Sequence, residues 1–312
     1  MIKAGLKLNA SDVYILPKGN HYLVKIRFHS KFITYNNLSI RDGGRLINYC
    51  KFHGGMNISE HRRPQLGSIK LKELCFLRLS TVGDYLGKES MVIRIIHKLE
   101  DVHLNFLMPK QIVKLSKLAR KRGLLLLAGP TGSGKTTTIY YLAKQFSRNQ
   151  MVMSIEDPVE IYEKDFLQLQ VNQQADMTYE RLLKVGLRHR PDVFIIGEIR
   201  DEVTARVAVQ AALSGHLVLS TVHARSPEGV IDRLLQLGIA ERYLQQCLNS
   251  VLYQRLLPSH RQMGALLNIM SRKILWPHTQ FRPSLKKWRL DLDELAKKQK
   301  ITQQIRDQFQ FG

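Results

Sequence analysis

From residue 123 to residue 224 the chain repeats one arrangement. A short apolar run leads into a turn rich in glycine, acid or histidine, and a stretch with apolar residues at helical spacing follows. The runs are Gly123-Leu-Leu-Leu-Leu-Ala128, Met151-Val-Met-Ser-Ile155, Val193-Phe-Ile-Ile196 and His216-Leu-Val-Leu-Ser-Thr221. They are too short for helices and are bounded by turn residues, which predicts buried strands. Between them, a stretch from about Gly134 through Leu142, Thr178 to Arg188 and Asp201 to Leu213 predict helices. Strands alternating with helices predict an α/β fold with a mostly parallel sheet, its ligand site at the C-terminal edges of the strands.

Before residue 105 the period is two. Ser11 to Pro17 and Tyr22 to Phe28 alternate as the strands of a hairpin, with Lys18-Gly-Asn20 as its turn. Ile40 to His53 predicts a short helix, and Arg62-Arg-Pro-Gln-Leu-Gly67 a basic loop. Glu73 to Ser80 and Glu89 to Ile96 predict two more strands. These elements make a small α+β domain. From 98 to 122 the pattern turns helical, with Pro109 as a starter and Ile112, Leu115, Leu118 and Ala119 on one face. Residues 225–257 read as mostly helical, including Tyr243 to Tyr253. Residues 258–312 read as a basic tail with an amphipathic helix near Leu290 to Gln299. The expected organisation is therefore 1–105, 106–257 and 258–312.

Composition narrows the classes. At 312 residues with 44% apolar content, the chain can bury two cores. No uncharged run approaches a membrane span, and the first ten residues carry no convincing secretion signal, so a cytoplasmic protein is expected. Cys50, Cys75 and Cys247 are far apart, which argues against a disulfide framework and a zinc ribbon. The net charge of +22 sets up a strong positive field suited to nucleic acid, an anionic membrane face or an acidic partner. Basic pairs are scattered and form no single arm, so charge alone does not choose among these.

The chemistry begins at Gly129-Pro-Thr-Gly-Ser-Gly-Lys-Thr136, a phosphate-binding loop placed between a strand and a helix as the motif requires. Its glycines let backbone N–H groups wrap a phosphate chain. Lys135 is expected to reach the terminal phosphates and the Thr136 hydroxyl to ligate Mg²⁺, so Gly129, Pro130, Thr131, Gly132, Ser133, Gly134, Lys135, Thr136 and Thr137 form the expected ATP site. Glu198 follows a strand expected to lie beside the phosphate-loop strand, where such enzymes keep a carboxylate for Mg²⁺ or the attacking water. Glu160, with Glu156 and Asp157, follows another strand. Which carboxylate serves metal and which serves water is open at this point. His223 ends a strand among these candidates and is placed to sense or polarise the γ-phosphate. His216, at the start of the same strand, reads as structural or as a relay. Arg78 and Arg94 sit on two late strands of the first domain, where an arginine ordinarily faces solvent.

Four motifs in order resemble the secretion and pilus-assembly ATPases, the hexameric motors of type II secretion and type IV pili. Beside the phosphate loop, Ile155-Glu-Asp-Pro-Val-Glu160 is similar to their acidic box. Leu187 to Asp201, ending Gly-Glu-Ile-Arg-Asp, is similar to their second nucleotide motif, and Ala212 to Ala224 to their histidine box. The resemblance covers roughly residues 10–257. It implies a PAS-like N-terminal domain followed by a RecA-like P-loop ATPase domain, ATP and Mg²⁺ as cofactors, and a homo-hexamer at the membrane surface. It also implies an integral-membrane platform protein as partner. Arg78 and Arg94 fall where the family keeps arginine fingers. The extra N-terminal domain, the four-cysteine zinc module and the Ala-Ile-Arg-Asn-Leu segment of retraction motors are all missing, and Gln254-Arg-Leu-Leu-Pro258 stands where the zinc module would begin. That pattern is similar to the competence-pseudopilus branch in Gram-positive bacteria, whose motors power a filament for DNA uptake. Ala224-Arg-Ser-Pro departs from the family's usual Thr-Asn, so no role is carried there. The alternatives are a motor that grips DNA directly, for which no recognition element is visible, a retraction or secretion ATPase, and a nucleotide-regulated scaffold. Direct DNA contact is not expected.

Overall fold

The structure, a computed structural model, describes all residues except 9, 29–30, 72–74, 102–104, 174, 260–261 and 277–284. It divides into two compact units, Met1–Lys98 and Leu99–Gly312. The first unit therefore ends at Lys98 and not at 105.

The first unit runs α1 (Ile2–Lys7), β1 (Asp12–Lys18), β2 (His21–Phe28), β3 (Lys31–Ser39), α2 (Ile40–His53), β4 (Gln65–Leu71), β5 (Cys75–Gly83) and β6 (Glu89–Ile96). Its strands form an antiparallel sheet in the order β3-β2-β1-β6-β5-β4. Alternate residues point to one core: Val13 and Ile15, Val24 and Ile26, Leu77 and Leu79, Met91 and Ile93 are all buried there with Ile47 of α2. Ser39 starts α2 by accepting the Asp42 N–H at 3.0 Å. The sequence pattern misses β3 and β4. Both are edge strands, and β3 is exposed along almost its whole length, so it carries no alternation to read. The predicted strand Glu73–Ser80 starts at Cys75, and Glu73 and Leu74 lie outside the described residues.

The second unit runs α3 (Pro109–Ala119), β7 (Gly123–Ala128), α4 (Lys135–Lys144), β8 (Val152–Glu156), β9 (Leu167–Gln170), α5 (Tyr179–Arg188), β10 (Val193–Ile199), α6 (Glu202–Leu213) and β11 (Leu217–Val222). It continues with α7 (Pro227–Gln236), α8 (Glu241–Cys247), β12 (Leu248–Pro258), β13 (Met263–Ser271), α9 (Arg272–Leu275), α10 (Leu285–Lys297) and α11 (Gln303–Gln308). The sheet order is β13-β12-β7-β11-β10-β8-β9, parallel except that β13 is antiparallel to β12. β7 lies inside it. Leu124 and Leu126 enter the apolar cluster on one face, and Leu125 and Leu127 the cluster on the other. A strand buried on both faces reads as an unbroken apolar run, which is why four leucines stand in a row.

The second unit departs from the sequence pattern in three places. Tyr243 to Tyr253 is not one helix, because α8 stops at Cys247 and Leu248–Pro258 forms β12 beside β7. This strand is also buried on both faces, so its apolar residues show no period of two that would tell it from a helix. Residues 258–312 are not a separate helical tail. β13 completes the sheet, and Trp288, Leu292 and Leu295 of α10 enter the core of the same unit. Finally, β11 intervenes between β7 and β10, so the strand of Glu198 is one place removed from the phosphate-loop strand. Among the described residues no helix is long and apolar enough to cross a membrane.

Candidate active site

β7 delivers the chain to a tight loop, and the loop delivers it to α4. Gly129 leaves the strand with φ 144°, and a Cβ built there would lie 2.3 Å from the Gln254 carbonyl oxygen. Only glycine fits, by conformation and by space. Gly134 is the N-cap of α4, so the helix begins at Lys135 with its positive end at the loop. The Lys135 side chain is buried and folds back, its Nζ donating to the carbonyls of Gly129 at 2.9 Å and Pro130 at 3.0 Å. Burial holds its pKa below the ordinary lysine range, and the charges of Glu198 and Glu160 pull it the other way. A desolvated cation on neutral carbonyls, at a helix N-terminus, is arranged for an anion. The Ser133 hydroxyl is buried in this loop without a hydrogen-bond partner among the described residues, which fits a phosphate oxygen.

The acidic residues enter from two neighbouring strand ends. Beyond β8, Glu160 accepts a hydrogen bond from the Thr136 hydroxyl at 2.9 Å, so the carboxylate stands at the first turn of α4. A hydroxyl beside a carboxylate is an oxygen pair of the kind Mg²⁺ takes. Glu156 serves structure instead. It is buried and accepts from the Tyr140 hydroxyl, which Gln168 Nε2 in turn binds at 2.8 Å. Burial first, then Glu156, push the Tyr140 pKa above its ordinary range, so the phenol stays a donor.

Glu198 reaches the same place through a β-bulge. β10 and β11 pair Ile196 with Ser220, skip Gly197, and resume with Glu198 opposite Thr221. The hydroxyls of Ser220 and Thr221 donate to the carbonyls of Ile196 and Gly197 around the bulge. A Cβ on Gly197 would come within 3.1 Å of the Tyr179 hydroxyl, so the residue before Glu198 has little room to grow. The Glu198 carboxylate then takes Arg200 Nε at 2.7 Å and His223 Nε2 at 3.2 Å. Thr136, Asp157, Glu160, Glu198, Arg200 and Thr221 line one cleft of about 230 Å³.

Thr136, Glu160 and Glu198 thus share the cleft, His223 joins it through Glu198, and Lys135 stands beside Thr136 under the charges of both glutamates. His216 is not with them. It sits at the opposite end of β11, its Nδ1 3.1 Å from the Ala211 carbonyl and its ring edge-on to Phe194, a placement that fits the structural reading and keeps it out of direct catalysis. Arg78 and Arg94 belong to the first unit, directly opposite one another on β5 and β6, and Arg94 Nε binds the buried Asp12 carboxylate at 3.0 Å. Sequence reasoning missed Arg200, which holds Glu198 and also donates to the Asp157 carbonyl at 2.6 Å. It lay inside a quoted motif, but a link between two loops leaves no local signal. Among the described residues no group of three or more His, Cys, Asp or Glu is placed to hold a metal. A site built from one carboxylate, a hydroxyl and phosphate oxygens needs none.

A family described as Type II/IV secretion system protein matches residues 1–304. The chain belongs to that family. It is 44% identical over 306 residues to the competence protein ComGA of Streptococcus pneumoniae, covering 97% of this chain and 94% of that one. Among solved structures it is similar to the ATPase DotB of Legionella pneumophila, with a TM-score of 0.74 at 20% identity over 98% of this chain and 93% of that one. It is likewise similar to the pilus retraction motor PilT with bound ADP, with a TM-score of 0.73 at 23% identity over 100% and 95%. At those identities the two structures speak for the fold, an N-terminal α+β unit followed by a mostly parallel α/β unit, as the family resemblance implied.

Proposed function

We propose that this chain is an ATP-hydrolysing motor, assembled as a homo-hexameric ring, that powers a competence pseudopilus for DNA uptake. The observation that carries the hydrolytic part is the meeting of the Thr136–Glu160 pair and Glu198 around one cleft, at the helix start where Lys135 feels the charges of both carboxylates. The phosphate loop would bind the triphosphate of ATP through its backbone and Lys135. Thr136 and Glu160 would hold Mg²⁺, which supplies neutralisation of phosphate charge. Glu198, steadied by Arg200 and His223, is the group to orient and deprotonate the attacking water, and His223 reports the state of that carboxylate. For Arg78 and Arg94 the proposed role is stabilisation of phosphate charge, on the strength of the family pattern alone.

The competence assignment draws on the near full-length likeness to ComGA. Its implied partners are an integral-membrane platform protein and the inner membrane surface, with the protein itself on the cytoplasmic side. The +22 charge suits an acidic platform face or anionic lipid. The same charge favours a second reading, a motor that grips DNA itself.

Steady-state ATP hydrolysis by the purified protein tests the hydrolytic claim. Lys135→Ala is expected to lose nucleotide binding and turnover together. Glu198→Gln is expected to keep binding and lose about 10²-fold or more in kcat. Wild-type turnover in both variants contradicts the assignment.

A further inference from the structure

The phosphate loop is held from behind by a residue on a different strand. Gln254 lies on β12, next to β7, where Leu252 pairs with Leu127 and Tyr253 with Ala128. The register therefore sets Gln254 beside Gly129. Its side chain is fully buried. Its Nε2 donates to the Ser133 carbonyl at 2.7 Å, and its Oε1 accepts from the Thr138 hydroxyl at 2.8 Å. Its own backbone carbonyl presses against the Cα of Gly129, close enough to exclude any Cβ there. One residue thus touches the first glycine of the loop, its Ser133–Gly134 peptide and the first turn of α4.

The geometry has a consequence for the ligand. A trans peptide points its C=O and the following N–H in opposite directions. Fixing the Ser133 carbonyl on Gln254 turns the Gly134 N–H away from β12. Both polar ends of the Gln254 amide are committed to the loop and helix, and an amide is the side chain that can donate and accept at once. The residues beside it face elsewhere: Tyr253 packs on Trp288, and Arg255 stacks over Phe309.

We infer that Gln254 is a positioning residue for nucleotide binding, preorganising the phosphate loop by clamping Ser133 and Thr138 from β12. The inference rests on the reading of this loop as the ATP site. Without the clamp the loop must be ordered by the nucleotide itself, so affinity falls while the reacting groups at Glu198 and Glu160 are untouched.

The test uses the full-length protein and a fluorescent ATP analogue with Mg²⁺, alongside steady-state kinetics and thermal unfolding. Gln254→Met keeps the length and loses both hydrogen bonds. Gln254→Glu keeps the acceptor for Thr138 and loses the donor to Ser133. Both are expected to raise Kd and KM about tenfold or more, as lost buried hydrogen bonds do, with kcat within about threefold. Thr138→Val is expected to have a smaller effect, and adding it to Gln254→Met to add little. A residue that merely stabilised the fold would lower Tm and leave the KM of the folded fraction unchanged. Folded Gln254 variants with wild-type KM and Kd overturn the inference. If Gln254→Met fails to fold, Gln254→Glu and Thr138→Val decide it in the same way. Lys135→Ala, run in parallel, separates the premise: wild-type nucleotide affinity there overturns the ATP-site reading, and the clamp with it.

Discussion

Lys135 and Glu198, close enough to feel one another's charge, occupy opposite situations. The lysine is buried against neutral carbonyls, whereas the glutamate, a third exposed, already has an arginine and a histidine on its two oxygens. The first is a cation arranged for an incoming anion, and the second a carboxylate held in place for work. Next to them, Asp201 has a structural task. It caps α6 by accepting the Thr204 N–H at 2.9 Å, and the Thr204 hydroxyl returns the bond in a capping box. That backbone N–H, before any charge, holds the Asp201 carboxyl below its ordinary range. A lowered carboxylate pKa adds stability above the unfolded-state value of about 4 and loses it as pH falls through the folded value. Asp201→Ala is therefore expected to cost about 0.5–1 kcal/mol at pH 7, at the lower end because the site is exposed, and progressively less below pH 4, measured by urea unfolding. At this scale the sequence was most legible where one motif held both the residue and its reason, as for Lys135, Thr136 and Glu198. It was silent on Arg200 and Gln254, whose meaning comes from partners on other elements, at Asp157 and Ser133.

Among the elements, β7 and β10 carry the site. β7 is buried on both sides and fixes where the loop starts, while the bulge in β10 decides where Glu198 points. Leu126→Ala removes a fully buried side chain from the larger cluster and is expected to destabilise by about 2–5 kcal/mol in denaturant unfolding, with nucleotide affinity retained in the folded fraction. The strands with strong apolar runs or alternation, such as β2, β6 and β10, were readable. β3 was not, because its residues are exposed on an edge, nor was β12, because burial on both faces removes the alternation that marks a strand. The bulge was invisible too, since Gly197 reads simply as the end of a run.

For the molecule as a whole, two units follow one another in the chain, and the second is larger than the pattern suggested because β13 and α10 complete it. The α/β class, the antiparallel unit before it and the family were all within reach of the sequence, since four spaced motifs carry far more information than any single loop. The partner was not, because a scattered charge of +22 serves DNA, lipid or an acidic protein equally well. The proposed motor works against a membrane platform and not against DNA. The most direct measurement compares ATP turnover of the wild-type protein alone, with vesicles carrying the platform protein, and with duplex or single-stranded DNA at several salt concentrations. Stimulation by platform vesicles and none by DNA is the expected result. Severalfold stimulation by DNA alone in low salt, falling steeply as salt rises, contradicts the claim and makes the protein a motor that grips nucleic acid.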